Sequence, residues 1–125
     1  MKNYTVEIVE SSRELTAKEK VMFKDLSDTF GIDAVTQENG EIIIKPVAYV
    51  VLHVHNDKLE QPDYDKFVIV DEKNVRYSTG SESFWNSFKN IFDEMKDIDE
   101  EWGLKIYRKP SKNRAGKDFI TCSII

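Results

Sequence analysis

The sequence has a single cysteine, Cys122, so no disulfide can form within the chain. A chain without disulfides is typical of a reducing cytoplasm. The longest apolar run, Val47 to Leu52, is far shorter than the roughly 20 residues that a membrane helix needs. The first residues, Met1 to Glu7, contain no apolar signal core. We therefore expect a soluble cytoplasmic protein with no membrane partner.

A surplus of basic residues is also lacking, because 18 Lys and Arg stand against 23 Asp and Glu, for a net charge of −5. This balance disfavours proteins that hold duplex DNA by total charge alone. Common enzymatic signatures are missing too: there is no Walker loop, G-x-G-x-x-G, G-x-S-x-G or H-E-x-x-H. The turn at residues 80–83 lacks the second glycine of a nucleophile elbow, and its serines are better explained as helix caps. We expect neither an enzyme nor a bound cofactor.

The composition that remains is that of one globular domain, residues 1–125, with 40% hydrophobic residues. Alternation predicts a strand from Tyr4 to Glu10. The turn signal Asn39-Gly40 precedes one long strand, Glu41 to His55, in which Pro46 indicates an edge, a bend or a bulge. Further strands are predicted as a hairpin over 66–78 and as a final pair over 104–108 and 118–124.

The clearest helix runs from Ser81 to Lys96. Its apolar stripe is Phe84, Phe88, Ile91, Phe92 and Met95, which we assign to the core. Leu15 to Phe30 is ambiguous: Thr16 and Glu19 fit a capping box, yet residues 20–25 also fit a strand. Periodicity alone favours a helix there. One helix before the last hairpin suits a mainly β fold, a five-stranded antiparallel barrel of the OB type.

Charge is distributed unevenly near the C-terminus. Residues 102–117 contain no acid but six basic residues: Lys105, Arg108, Lys109, Lys112, Arg114 and Lys117. Residues 93–101 contain six acids and one base. The basic segment fits either a solvated hairpin tip or a finger that contacts phosphates, and we favour the finger. Tyr107 and Phe119 support it, since single strands are held by basic grooves with aromatic stacking platforms.

Strand parity adds candidates on the long strand. Ala48, Val50, Leu52 and Val54 form a core face. The opposite face carries Lys45, Tyr49, Val51, His53 and His55. It fits a base-stacking surface, an ordinary barrel exterior or a second layer packed on the helix. His53 and His55 share this face, but no Cys-x-x-Cys or His-x-x-x-His pair completes a zinc set, so we predict no metal site. Lys105 and Tyr107 are expected to point outward, away from Ile106.

With these segments placed, the sequence resembles the small single-stranded-DNA-binding proteins of phages and mobile elements of low-GC Gram-positive bacteria, including the replication protein of protein-primed Bacillus phages. The likeness runs through residues 19–25, 39–44, 71–78, the aromatic helix and 111–121. It implies an OB-fold that binds single strands during replication or recombination, in the cytoplasm of a bacterial host. It also implies that Lys20 to Leu26 is a barrel strand, and we adopt that assignment.

The chain departs from this family in being acidic and in ending in Cys122-Ser123-Ile124-Ile125, without an acidic partner-binding tail. Our leading expectation is sequence-tolerant binding of single-stranded DNA, with replication or recombination proteins and a homo-oligomer as further partners. The alternative is a phage-encoded interaction or inhibitor protein that presents its acidic surface to a basic host protein.

Overall fold

The computed structural model describes residues 4–25, 28–110 and 118–125. In these residues the chain is mainly β, as alternation predicts, with eight strands and three helices. In chain order the elements are β1 (Tyr4–Ser11), α1 (Ala17–Lys24), β2 (Phe30–Gly31), α2 (Ile32–Asn39), β3 (Glu41–Ile44), β4 (Pro46–Asn56), β5 (Asp63–Asp71), β6 (Arg76–Thr79), α3 (Glu82–Met95), β7 (Leu104–Pro110) and β8 (Asp118–Ile124). None of the helices in this part of the chain has both the length and the apolar character to cross a bilayer.

The strands form two sheets. The large sheet has the order β1-β4-β5-β6-β2, and the small sheet has the order β3-β7-β8. All pairings are antiparallel except the short one between β2 and β6. The predicted first strand, the hairpin over 66–78 and the final strand pair are confirmed.

The predicted long strand over 41–55 divides at Lys45 into two strands that belong to different sheets. β3 pairs with β7, whereas β4 pairs with β1 and β5. The register of β4 against β5 also shifts between Pro46 and Ala48. Proline has no N–H for the ladder, so the strand changes partners at this point. Of the edge, bend or bulge that Pro46 indicated, the register shift beside the proline fits the bulge.

Among the described strands, no pairing closes the two sheets into a barrel. The structure therefore confirms the mainly β class but not the closed five-stranded barrel. It also contains three helices where the sequence predicted one. Helix α2 fills a segment that had no assignment; it ends at Gly40, whose φ of 80° favours glycine.

Helix α1 corrects the strand that the family resemblance implied over residues 20–26. Residues 17–24 are helical, and residue 26 lies outside the described residues. The Thr16 hydroxyl accepts a bond from the Glu19 N–H at 3.1 Å, and the Glu19 carboxylate accepts one from the Thr16 N–H at 3.0 Å. This reciprocal cap satisfies two donors at the helix start, so the periodicity was the better guide. Phe30, the last residue of the segment over which periodicity favoured a helix, instead lies in β2.

Two apolar layers lie on opposite faces of the large sheet. On one face Phe23 of α1 packs against a layer that includes Ala48, Val50 and Leu52. On the other, α3 lies between the large sheet and the inner face of the small sheet. The predicted helix and its apolar stripe are confirmed: Phe84, Phe88 and Phe92 are buried, and Ser81 caps the helix through the Phe84 N–H at 3.3 Å. Both faces of the large sheet are therefore covered.

Candidate nucleic-acid interface

The outer face of the small sheet is the side turned away from α3, and it is not covered by any described element. Its members alternate with the buried residues Ile106, Ile120 and Cys122. The strand register aligns them in rows, as Glu41–Tyr107–Thr121 and Ile43–Lys105–Ser123, with Lys109 opposite Phe119. The outward orientation that parity predicted for Lys105 and Tyr107 is confirmed, and Phe119 lies on the same outer face.

Tyr107 lies at the centre of this outer face, between two lysines. The Nζ atoms of Lys105 and Lys109 are 5.3 and 5.8 Å from its ring centroid. Its hydroxyl shares a hydrogen bond with the Ser123 hydroxyl at 2.9 Å, which fixes the ring beside β8. The only described acid near Lys105 is Glu41, at 3.7 Å, and surface pairs of this kind are weak. Two cations and an aromatic ring are thus held together on an open surface.

Two apolar side chains extend this surface. Phe119 is 43% exposed and Ile43 is 59% exposed, although both are large and hydrophobic. Ile43 was missed by the sequence reasoning. Its parity opposite to Ile42 and Ile44 was a usable signal, but the run of three isoleucines looked uniformly buried. Phe119 supplies a second exposed aromatic ring beside lysines, the combination on which unpaired bases stack, and Ile43 adds an apolar contact.

Arg108 does not belong to the outer face, which corrects its assignment to the binding set. Its guanidinium donates to Asp118 at 2.7 Å and to the Thr36 hydroxyl at 3.3 Å, and it lies 3.6 Å from Asp33. The hydrogen bond to Asp118 raises the pKa of Arg108 and lowers that of Asp118. Arg108 therefore connects β7 to β8 and α2, and is not free to contact phosphates.

Tyr49 is also corrected: it is 6% exposed and packs under α3. Its ring contacts Trp85, Phe88 and Phe92 edge-on, at centroid distances of 5.2, 6.1 and 5.4 Å. Parity was right, but the face opposite Ala48 is covered by the helix, which was one of the two alternatives to base stacking. Tyr49 could stack on a base only if its contacts with α3 were broken.

The Tyr49 hydroxyl takes part in a polar network at the edge of that layer. It donates to Glu10 at 2.7 Å and accepts a bond from Lys89 at 2.5 Å, while Lys89 also donates to Glu10 at 2.8 Å. The bond from Lys89 is the main reason why the pKa of Glu10 is lowered. The network joins β1, β4 and α3.

The histidines lie in an acidic environment at the far end of β4. His53 contacts Asp65 at 3.0 Å and Asp63 at 3.1 Å, and His55 contacts Asp63 at 2.8 Å and Asp57 at 2.5 Å. These carboxylates raise the pKa of both imidazoles and would repel a phosphate. The geometry therefore opposes the predicted binding role of His53.

The remaining candidates fall into two groups. Lys45 is exposed at the junction of the sheets, with its Nζ 3.6 Å from Glu101. Lys112, Arg114 and Lys117 lie outside the described residues.

Burial raises the pKa of the Cys122 thiol to about 11, so the thiol stays protonated. Within the described ranges, no group of three His, Cys, Asp or Glu residues could hold a metal ion.

No family model, no curated protein and no solved structure matches the chain.

Proposed function

We propose that the chain is a non-enzymatic module that binds single-stranded DNA through the outer face of the small sheet. The observation that carries the proposal is the exposed surface on which Lys105, Tyr107, Lys109 and Phe119 lie together. Rings on such a surface can stack only on unpaired bases, while lysines pair with phosphates of any sequence. The ligand is therefore single-stranded and the binding sequence-tolerant.

Stacking of a base on Tyr107 contributes more free energy than the cation–π contacts that its ring makes with the two lysines. A cation–π contact at an exposed site contributes about 0.5–1 kcal/mol. A stacked base contributes about 1–3 kcal/mol. A base can therefore displace a lysine from the ring, and the released ammonium remains within reach of the adjacent phosphate.

The proposed fold relationship is to a partly open OB barrel. Five strand segments support it: the bent segment β3–β4, then β5, β6, β7 and β8. The bent segment contributes to both sheets, and α3 lies between the third and fourth segments, as in that fold. The resemblance to phage and mobile-element proteins gives the proposed setting, replication or recombination in a bacterial host cytoplasm, with proteins of those processes and a second copy as candidate partners.

The test is a salt titration of oligo-dT, oligo-dA and a duplex. We expect both single strands to bind better than the duplex. The double variant Lys105→Gln/Lys109→Gln should reduce the salt slope by roughly 0.7 for each lost phosphate contact. Tyr107→Leu should lower affinity and leave the slope unchanged.

The matched control is Lys18→Gln, an exposed lysine on α1, which should change neither quantity. Preference for the duplex, or equal salt slopes for the double variant and the control, would contradict the proposal.

The alternative, a protein that binds a basic host partner, is supported by a second surface. The acidic residues Asp97, Asp99, Glu100 and Glu101 are exposed. The same segment of the chain also contains apolar residues that line a cleft. These are Met95, Ile98 and Trp102, which line it together with Val47. A stoichiometric complex with a host protein that Ile98→Asp abolishes, together with no oligonucleotide binding, would establish this alternative instead.

A further inference from the structure

A second aromatic surface lies next to the outer face, in a cleft between the two sheets. The cleft has a volume of about 470 Å³, which is in the range of small-ligand sites. Its apolar lining is formed by Phe30, Ile43, Val75 and Tyr77, and its lysines are Lys45 and Lys73.

Phe30 is the most unusual residue of this cleft. It belongs to the two-residue strand β2 at the edge of the large sheet, and it is 59% exposed. Its ring centroid lies 6.2 Å from that of Tyr77 at an angle of 39°. Tyr77 therefore packs against one side of Phe30, while a large part of the Phe30 ring remains accessible. A supported and accessible aromatic ring is a stacking platform.

Two exposed lysines at the cleft can contact a phosphate. Lys73 is exposed and Lys45 has only the loose contact with Glu101. Glu72 is the one exposed acid in the lining, because Asp71 is buried and one of its carboxylate oxygens accepts the N–H bonds of Lys73 and Val75. Glu72 and Glu101 therefore offset the charge of the two lysines, but both lysines are exposed and at most weakly paired, so their ammonium groups can reach a phosphate at the cleft.

The cleft is continuous with the proposed interface through Ile43. This side chain pairs in register with Lys105 on the outer face, and it also lines the cleft. We propose that the same single strand continues from the outer face into this cleft, where an unstacked base packs on Phe30 and the flanking phosphates contact Lys45 and Lys73. This proposal rests on the proposed function and extends its site across the junction of the two sheets.

The experiment compares oligo-dT of about four and about sixteen nucleotides, the range of site sizes known for one OB fold. Phe30→Ala should weaken binding of the longer strand about tenfold, and it should leave the shorter strand unaffected. Phe119→Ala should weaken both. The control is Tyr4→Ala, an aromatic residue of similar exposure on β1 at the opposite edge of the large sheet, and it should alter neither.

A second variant, Lys45→Gln/Lys73→Gln, guards against a folding defect in Phe30→Ala. It should lower the salt slope for the longer strand only. If both cleft variants bind the longer strand normally while Phe119→Ala does not, the cleft proposal is wrong and the proposed function stands. Equal weakening of both lengths by Phe30→Ala also overturns it. If the unaltered protein binds neither strand, the proposed function itself fails.

Discussion

The two sheets of this protein differ in how many of their faces are covered. The large sheet lies between α1 and α3, so both parities of β4 are buried from Ala48 to Leu52. The small sheet packs only its inner face against α3, and its outer face carries lysines, a tyrosine and exposed apolar groups. The same alternation of residues therefore indicates two core layers in one sheet and, in the other, one core layer and one uncovered surface.

The largest expected effect separates two phenylalanines, one from the shared core and one from the outer face. Phe84 is 1% exposed in the layer between the sheets, whereas Phe119 is 43% exposed. Phe84→Ala should lower the free energy of unfolding by about 3–5 kcal/mol. Phe119→Ala should change it little while weakening oligo-dT binding. Urea denaturation of both variants measures the difference, and similar losses would show that the outer face is not free.

A smaller effect compares the two tyrosine hydroxyls. Tyr49→Phe removes bonds to the charged Glu10 and Lys89, and should cost about 1.5 kcal/mol of stability without changing DNA affinity. Tyr107→Phe removes only the bond shared with Ser123, which is worth about 0.5 kcal/mol. Thermal melting followed by circular dichroism measures both changes. A larger loss for Tyr107→Phe would reverse our comparison of the two sheets.

The cap of α1 tests how one face of the large sheet is covered. Thr16→Ala should reduce stability by about 1 kcal/mol, because the Glu19 N–H loses its acceptor. Thr16→Ser retains a hydroxyl and serves as the matched control. An unchanged melting temperature for Thr16→Ala would contradict a helix at this position and favour the strand that the family resemblance implied.

The smallest effect depends on pH and concerns His53 and His55, whose neighbours also include Glu7 across the β1 pairing. The main causes of their raised pKa are the hydrogen bonds to Asp65 and Asp63, respectively. Their stabilisation is complete below the ordinary value of 6.5 and is lost as the pH rises through the higher folded values. The bonds from His55 and His53 lower the pKa of Asp63, so its stabilisation is present above 3.8 and lost at lower pH.

The test is the difference in stability between the protein and its His53→Asn/His55→Asn variant. It should be greatest between pH about 4 and 6.5 and should disappear in alkaline solution. The change should be small because these groups are partly exposed and screened by salt. A difference that grows towards alkaline pH would show that the imidazoles do not pair with these carboxylates.

Local sequence patterns predicted most strands and helices well. They could not predict which faces of the sheets would be covered by helices that are distant in sequence. Alternation located β1, β7 and β8, and the capping box located α1 better than the resemblance did. The face of Tyr49 was assigned correctly, but its burial depends on α3, which is distant in sequence. The same holds for Arg108, whose partner Asp33 lies in α2, a helix that no local pattern predicted. Phe30 had no local signal, because its cleft forms only where two sheets meet.

The division of the long strand at Lys45 also affects how the protein folds. β4 finds its partner β5 nearby, with His55 opposite Asp63, whereas β3 must wait for β7, since Ile44 pairs with Leu104 about sixty residues later. Contacts between distant segments form slowly because the loop between them must first be closed. The β4–β5 pair should therefore form early and the β3–β7 pair late. The row of the outer face that contains Ile43 would then be completed late, whereas Lys105, Tyr107, Lys109 and Phe119 lie on β7 and β8, which are close in sequence.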